Sequence, residues 1–199
     1  MIKKGLFIIL VLFIVASTTV WAQDGGDNKK GIIITAPLNS ATTIGGVYYL
    51  NDTTVLKPFV KISLDFDKDS DELANLEDTD STHSIILGIA YDKILLESGP
   101  LSFYAGSAIS FGFNSSETDI DGGSLIESTS FAISLDPRVG VQYLFTSAFG
   151  IYGNLEAGIT YSSYTGKVTN NAGTVTTEDK GTSLGLNTAE SALGVVFFF

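Results

Sequence analysis

Phe149-Gly-Ile-Tyr-Gly-Asn-Leu-Glu-Ala-Gly-Ile-Thr-Tyr161 is the stretch whose reading decides the fold. Every second residue gives Phe149, Ile151, Gly153, Leu155, Ala157, Ile159 and Tyr161. The complement is Gly150, Tyr152, Asn154, Glu156, Gly158 and Thr160. Period two marks an extended strand, because successive side chains leave on opposite faces. One face is apolar; the other carries an acid and small groups. A soluble strand typically runs ~5–6 residues, whereas a tilted strand crossing a bilayer needs ~9–11. Alternation held from 149 to 161 suits the second.

The same rule repeats on both sides of this stretch. From Leu101 to Phe113 the apolar parity includes Leu101, Phe103, Ile109, Phe111 and Phe113, against Ser102, Tyr104, Gly106, Ser110 and Gly112. From Phe131 to Phe145 the apolar set contains Ile133, Leu135, Val139 and Val141, and the other face carries Asp136, Arg138 and Gln142. From Leu56 to Phe66 the apolar side is Leu56, Pro58, Val60, Ile62, Leu64 and Phe66, opposite Lys57, Phe59, Lys61, Ser63 and Asp65. Aromatic residues gather toward the ends of these runs, as in Tyr143/Phe145 and Tyr161/Tyr164, where a membrane barrel places its interfacial girdles.

Short connections at 51–54, near 93–99 and at 146–148 alternate with long polar ones at 67–82, 114–129 and 165–181. The pattern predicts about eight strands, near 31–37, 42–50, 55–66, 83–92, 101–113, 130–144, 149–163 and 182–199, with short periplasmic turns and long external loops. The fold class expected is all-β: an antiparallel up-and-down transmembrane barrel. In the last strand Leu184 and Leu186 have the opposite parity to Leu193 and Phe199, which predicts a bulge between Asn187 and Ser191.

The beginning of the chain reads differently. Lys3 and Lys4 precede an apolar run from Gly5 to Ala16 and then Ser17-Thr-Thr-Val-Trp-Ala22, the pattern of a secretory signal cleaved after Ala22. The apolar run falls short of the ~20 residues that a membrane-spanning helix needs. The domains expected are a signal peptide at 1–22, a short N-terminal segment at 23–30 and the barrel at 31–199. The 199 residues are 44% hydrophobic with a net charge of −11, and loss of the leader leaves a still more acidic chain, so nucleic acid is not an expected partner. The absence of cysteine removes disulfides, thiolate zinc sites and a thiol nucleophile.

The leader, the hairpin Tyr48-Tyr-Leu-Asn-Asp52 and the closing Leu193-Gly-Val-Val-Phe-Phe-Phe199 together resemble the small outer-membrane β-barrels of bacteria, of the outer-membrane protein A and X type. The resemblance covers nearly all of the chain after the leader. It implies an integral protein of the bacterial outer membrane, contacting outer-membrane lipids and lipopolysaccharide. It also implies that Leu193, Val195, Phe197 and Phe199 form the terminal signal read by the barrel-assembly machinery.

The alternation aims Lys57, Lys61, Asp136, Arg138, Glu156 and Glu190 into the lumen, where charges must be satisfied by pairing or water, so an ion-pair network is expected. Eight strands enclose only enough space for side chains, and Phe59, Tyr104 and Tyr152 would fill part of it. Asp67, Asp69 and Asp71 offer oxygens at every second position, a weak calcium pattern that lacks the glycine and final glutamate of an EF-hand. His83 is followed by Ser84, but neighbours on a strand point to opposite faces and make a poor catalytic pair. The reading is a monomeric barrel with a structural or surface-interaction role, without cofactor, resident metal or catalytic site. The alternatives are a weakly conducting porin-like channel, a lipid A-modifying enzyme and a soluble lipocalin-like carrier.

Overall fold

The computed structural model describes residues 29–37, 43–71, 76–120, 124–170 and 173–199. Residues 1–22, where the sequence predicts a signal peptide, lie outside them. The described chain forms eight strands: β1 (Lys30–Pro37), β2 (Thr43–Asn51), β3 (Thr54–Asp71), β4 (Leu76–Ser98), β5 (Leu101–Ile120), β6 (Ser124–Thr146), β7 (Phe149–Thr169) and β8 (Val175–Phe198). Each pairs antiparallel with the next, and β1 closes on β8 from Gly31↔Phe198 to Pro37↔Ala192, so the sheet is a closed barrel.

Three tight connections lie at the end that also holds the start of β1 and the end of β8. Asn51 Oδ1 accepts the Thr53 backbone N–H at 3.0 Å, and Thr146 Oγ1 accepts that of Ala148 at 3.2 Å, the local side-chain caps that such turns favour. The third turn falls at Gly99–Pro100, and Gly99 takes a φ of 58° that a residue with a Cβ adopts only with strain. Here the expectation is corrected. Residues 93–98 are not a turn but the end of β4, which absorbs Leu95 as a bulge between Ile94↔Tyr104 and Leu96↔Phe103.

The long connections are corrected as well. Most of 67–82, 114–129 and 165–181 is strand: β3 and β4 pair as far as Asp71↔Leu76, β5 and β6 as far as Ile120↔Ser124, and β7 and β8 as far as Thr169↔Val175. Beyond the lipid both faces of a strand meet water, so hydrophobic alternation disappears while backbone pairing continues. Polar pairs such as Asn114–Ser130 at 3.1 Å and Tyr164–Asp179 at 3.4 Å join these extensions. On the same extension Lys180 lies 2.7 Å from Glu178 and holds that carboxyl below its ordinary value, first through its hydrogen bond and then through its charge.

The outer wall is apolar. Ile89, Ile109, Leu135, Ile159 and Leu186 follow one another across five strands, all exposed outward, and the row above them runs through Phe111 and Tyr161 to Leu184. The predicted bulge is present: β7–β8 pairing steps from Glu156↔Glu190 to Gly158↔Asn187, which restores Leu184 and Leu186 to the face that carries Leu193 and Phe197. Phe145, Phe149 and Phe197 form a ring ladder near the short turns, with centroids 5.6 and 5.1 Å apart.

The buried apolar cluster sits inside the barrel at the short-turn end. It consists of Ile33, Val47, Val55, Ile94, Tyr152, Val196 and Phe198, with Tyr49 and Leu144 packed against it. Lumen parity predicted charges together with the rings of Phe59, Tyr104 and Tyr152; of these Tyr152 belongs to a hydrophobic floor that the sequence reading did not otherwise foresee.

Candidate functional site

Above that floor, charged side chains from four strands meet across the lumen. Asp92 of β4 is the centre, with no exposure to solvent. Lys57 Nζ of β3 lies 2.9 Å from Asp92 Oδ2. Arg138 of β6 donates through Nε to Asp92 Oδ1 at 2.7 Å and through Nη2 to Oδ2 at 2.6 Å. This two-pronged geometry matches a planar guanidinium to a carboxylate and fixes the orientation of both groups. Arg138 Nη1 also reaches Glu156 Oε1 of β7 at 3.3 Å, and Asn154 donates to the same oxygen.

Aromatic rings frame the cluster. Lys57 Nζ sits 4.1 Å from the centroid of Tyr104 and 5.5 Å from that of Tyr152, within range of a cation–π attraction. Tyr152 shares a hydrogen bond with Thr35, tying β7 to β1 across the interior. Its ring lies over Gly194, where an added Cβ would stand 2.6 Å from the Tyr152 hydroxyl, so any larger residue there would displace the ring. Lys57, Asp92 and Arg138 therefore each have an opposite charge against them, as a low-dielectric interior demands.

Of the six residues expected to face the lumen, Lys57, Arg138 and Glu156 join this cluster. Lys61 and Asp136 line a cavity of about 210 Å³ directly above it, together with Thr43, Ser110, Ser134 and Ala192. Glu190 pairs through its backbone with Glu156 across β7–β8, and its side chain lies outside the described residues. Asp92, the residue that joins the others, was not expected. Its parity partners in β4 are Ile86, Ala90 and Ile94, so isoleucine occupies both faces of the strand and masks the alternation. The expected strand 83–92 already ended on Asp92, and counting parity back to Ala90 and Ile86 would have placed it inward.

The remaining candidates separate. Asp67, Asp69 and Asp71 belong to β3 rather than a loop, and pair with Asp80, Asp78 and Leu76. The side chains of Asp67, Asp69 and Asp71 lie outside the described residues. His83 and Ser84 are consecutive in β4 and leave on opposite faces. Gly181-Thr-Ser-Leu-Gly185, not a candidate in the sequence reading, has the spelling of a hydrolase nucleophile elbow, but it lies within β8 rather than turning from a strand into a helix, and Ser183 bonds Ser162. Leu193, Phe197 and Phe199 all face outward at the end of the chain, with Val195 on the same parity.

An apolar outer belt, a polar and charged interior, and a closed up-and-down sheet define a transmembrane β-barrel of the outer-membrane kind. No protein-family model matches the chain, and no curated protein does. Among solved structures it resembles a major outer-membrane protein from Thermus thermophilus, with 12% identity over 86% of this chain and 98% of that one, at a TM-score of 0.52. It is also similar to CarO2 of Acinetobacter baumannii, with 11% identity, 87% and 100% coverage and a TM-score of 0.47. Ail, the attachment invasion locus protein of Yersinia pestis, gives 13% identity, 87% and 100% coverage and a TM-score of 0.43. The Thermus likeness independently supports the barrel fold.

Proposed function

We propose that this chain is a non-enzymatic barrel of the bacterial outer membrane, plugged across its lumen, whose role lies in the membrane wall and in the strand extensions beyond it. The observation that carries the reading is the Asp92 centre. One carboxylate ties β3 to β6 through Lys57 and Arg138, and Arg138 reaches on to β7 through Glu156. Beneath it lies the apolar floor around Val47 and Val196. An ion crossing the barrel would have to part both layers.

The test is conductance in a planar bilayer, comparing the native protein with the double variant Lys57→Ala, Arg138→Ala. The native barrel gives no sustained current steps, and the variant gives brief, noisy openings. Stable ohmic steps from the native protein would replace this reading with the channel. A search for deacylase or acyltransferase activity on lipid A, with His83→Ala as control, is expected to find none above background. The surface role extends to outer-membrane lipid and lipopolysaccharide, which the apolar belt would meet, and the barrel would act as a monomer. Crosslinking in intact membranes tests the monomer: a ladder of higher species at low protein density would contradict it.

A further inference from the structure

Asp92 and Ile94 turn into the lumen, so Lys93 between them turns outward, onto the wall that faces lipid. In register it stands beside Ala105 of β5, on the row that continues through Val139 and Leu155, which are 54% and 55% exposed. Lys93 is itself exposed, and it enters no ion pair and no side-chain hydrogen bond among the described residues. Lys57 and Arg138, by contrast, share Asp92 inside the barrel. Lys93 is a full charge on the apolar wall with no acid of the described residues set against it.

Its depth decides what can answer that charge. A strand tilted by ~40° climbs ~2.5 Å along the barrel axis per residue, so Lys93 lies roughly 10 Å below Ile89 of the central apolar row, in a band of ~25 Å. Its backbone is then just inside the hydrocarbon at the short-turn end, which faces the periplasm in barrels of this kind. A lysine so placed lays its apolar stem along the wall and carries its ammonium to the headgroup level, where lipid phosphates lie. An unopposed cation favours a headgroup of net negative charge, because a zwitterion brings its own ammonium to the same place.

The wall beside Lys93 is grooved. On β5 the outward residues run Phe103, Ala105, Ser107, Ile109, two small side chains between two large ones. Register sets Tyr91 and Lys93 of β4 along one side of this gap and Pro137 and Val139 of β6 along the other, in the rows Tyr91↔Ser107↔Pro137 and Lys93↔Ala105↔Val139. These four flanking residues are exposed, whereas Ala105 and Ser107 between them are half-buried. The groove runs along the strands from the ammonium toward the middle of the membrane, the direction that an acyl chain takes from a headgroup in the periplasmic leaflet. We propose that Lys93 and the Ala105–Ser107 groove bind one anionic phospholipid of the periplasmic leaflet, its phosphate on the ammonium and an acyl chain over the two small residues. The inference rests on the membrane-barrel reading above and adds a ligand to it.

Native mass spectrometry of the folded, detergent-extracted protein with palmitoyl-oleoyl phosphatidylglycerol tests it. The expected result is one retained lipid per barrel, held about fivefold less well by Lys93→Gln, the order expected for one lysine at an anionic lipid surface. Lys93→Arg keeps the lipid, Ala105→Phe weakens its retention, and Lys167→Gln, on the strand extension above the belt, leaves it unchanged. Ser107→Leu fills the same groove if Ala105→Phe does not assemble. Equal retention by the native protein and Lys93→Gln, or an equal loss in Lys167→Gln, overturns the site. Palmitoyl-oleoyl phosphatidylcholine competing as well as phosphatidylglycerol overturns it too, as does retention indifferent to both groove variants. A native protein without a heat-dependent gel shift would instead undo the barrel reading itself.

Discussion

At the scale of single residues, Asp92 carries the most consequence. Removing one member of a buried charge set leaves its partners uncompensated, at a cost of ~3–5 kcal/mol where pairing was complete. Asp92 neutralises both Lys57 and Arg138, so Asp92→Asn is expected to fall in that range when unfolding is followed in lipid vesicles by gel mobility against urea. Glu156 holds Arg138 by a single 3.3 Å contact and is partly open to the lumen, so Glu156→Gln should lose much less. Equal losses from the two variants would mean that Asp92 is not the centre. The sequence showed Lys57, Arg138 and Glu156 on lumen parity but not their meeting point. A strand such as Ser84-Ile-Ile-Leu-Gly-Ile-Ala-Tyr-Asp92, apolar on both faces near the floor, hides the one acid that matters.

At the scale of elements, each strand has a lipid face whose cost of disruption depends on depth. Leu135 lies mid-belt on β6, between Ile109 and Ile159, and Leu135→Arg should destabilise the barrel by ~2–4 kcal/mol in the same vesicle assay. Its neighbour Ser134 faces inward, bonded to Thr160 at 2.7 Å, and Ser134→Ala should cost no more than ~1.5 kcal/mol. Comparable losses would contradict the assigned facing. The terminal strand allows a different separation. Phe199 is 83% exposed and adds little packing, so Phe199→Ala should leave refolded stability almost unchanged while reducing the amount assembled in cells. Equal assembly of both forms would remove Phe199 from the assembly signal. Alternation made the membrane-crossing parts of β3 and β5 to β7 legible, and reversed parity located the β8 bulge. The strand extensions were not legible, because Ser, Thr and Asp on both faces of a fully hydrated strand read as loop.

At the scale of the whole molecule, closure decides how the barrel fails. A sheet whose first strand pairs with its last cannot fray from an end, and here the seam is made by seven rungs from Gly31↔Phe198 to Pro37↔Ala192. Next to it the lumen is packed by Val47, Val196 and Phe198 and then cross-tied by Asp92, so opening the seam means exposing the floor and separating the charges together. The native protein in mild detergent should therefore run faster on a gel unboiled than boiled, and convert between the two forms over a narrow temperature range. Asp92→Asn should lower that temperature without broadening the transition, since the seam and floor still yield as one unit. A broad, two-stage conversion in the native protein would mean that the strand extensions and the membrane barrel melt separately. That outcome would separate the wet upper sheet of β3 to β8 from the closed lower ring that all eight strands share.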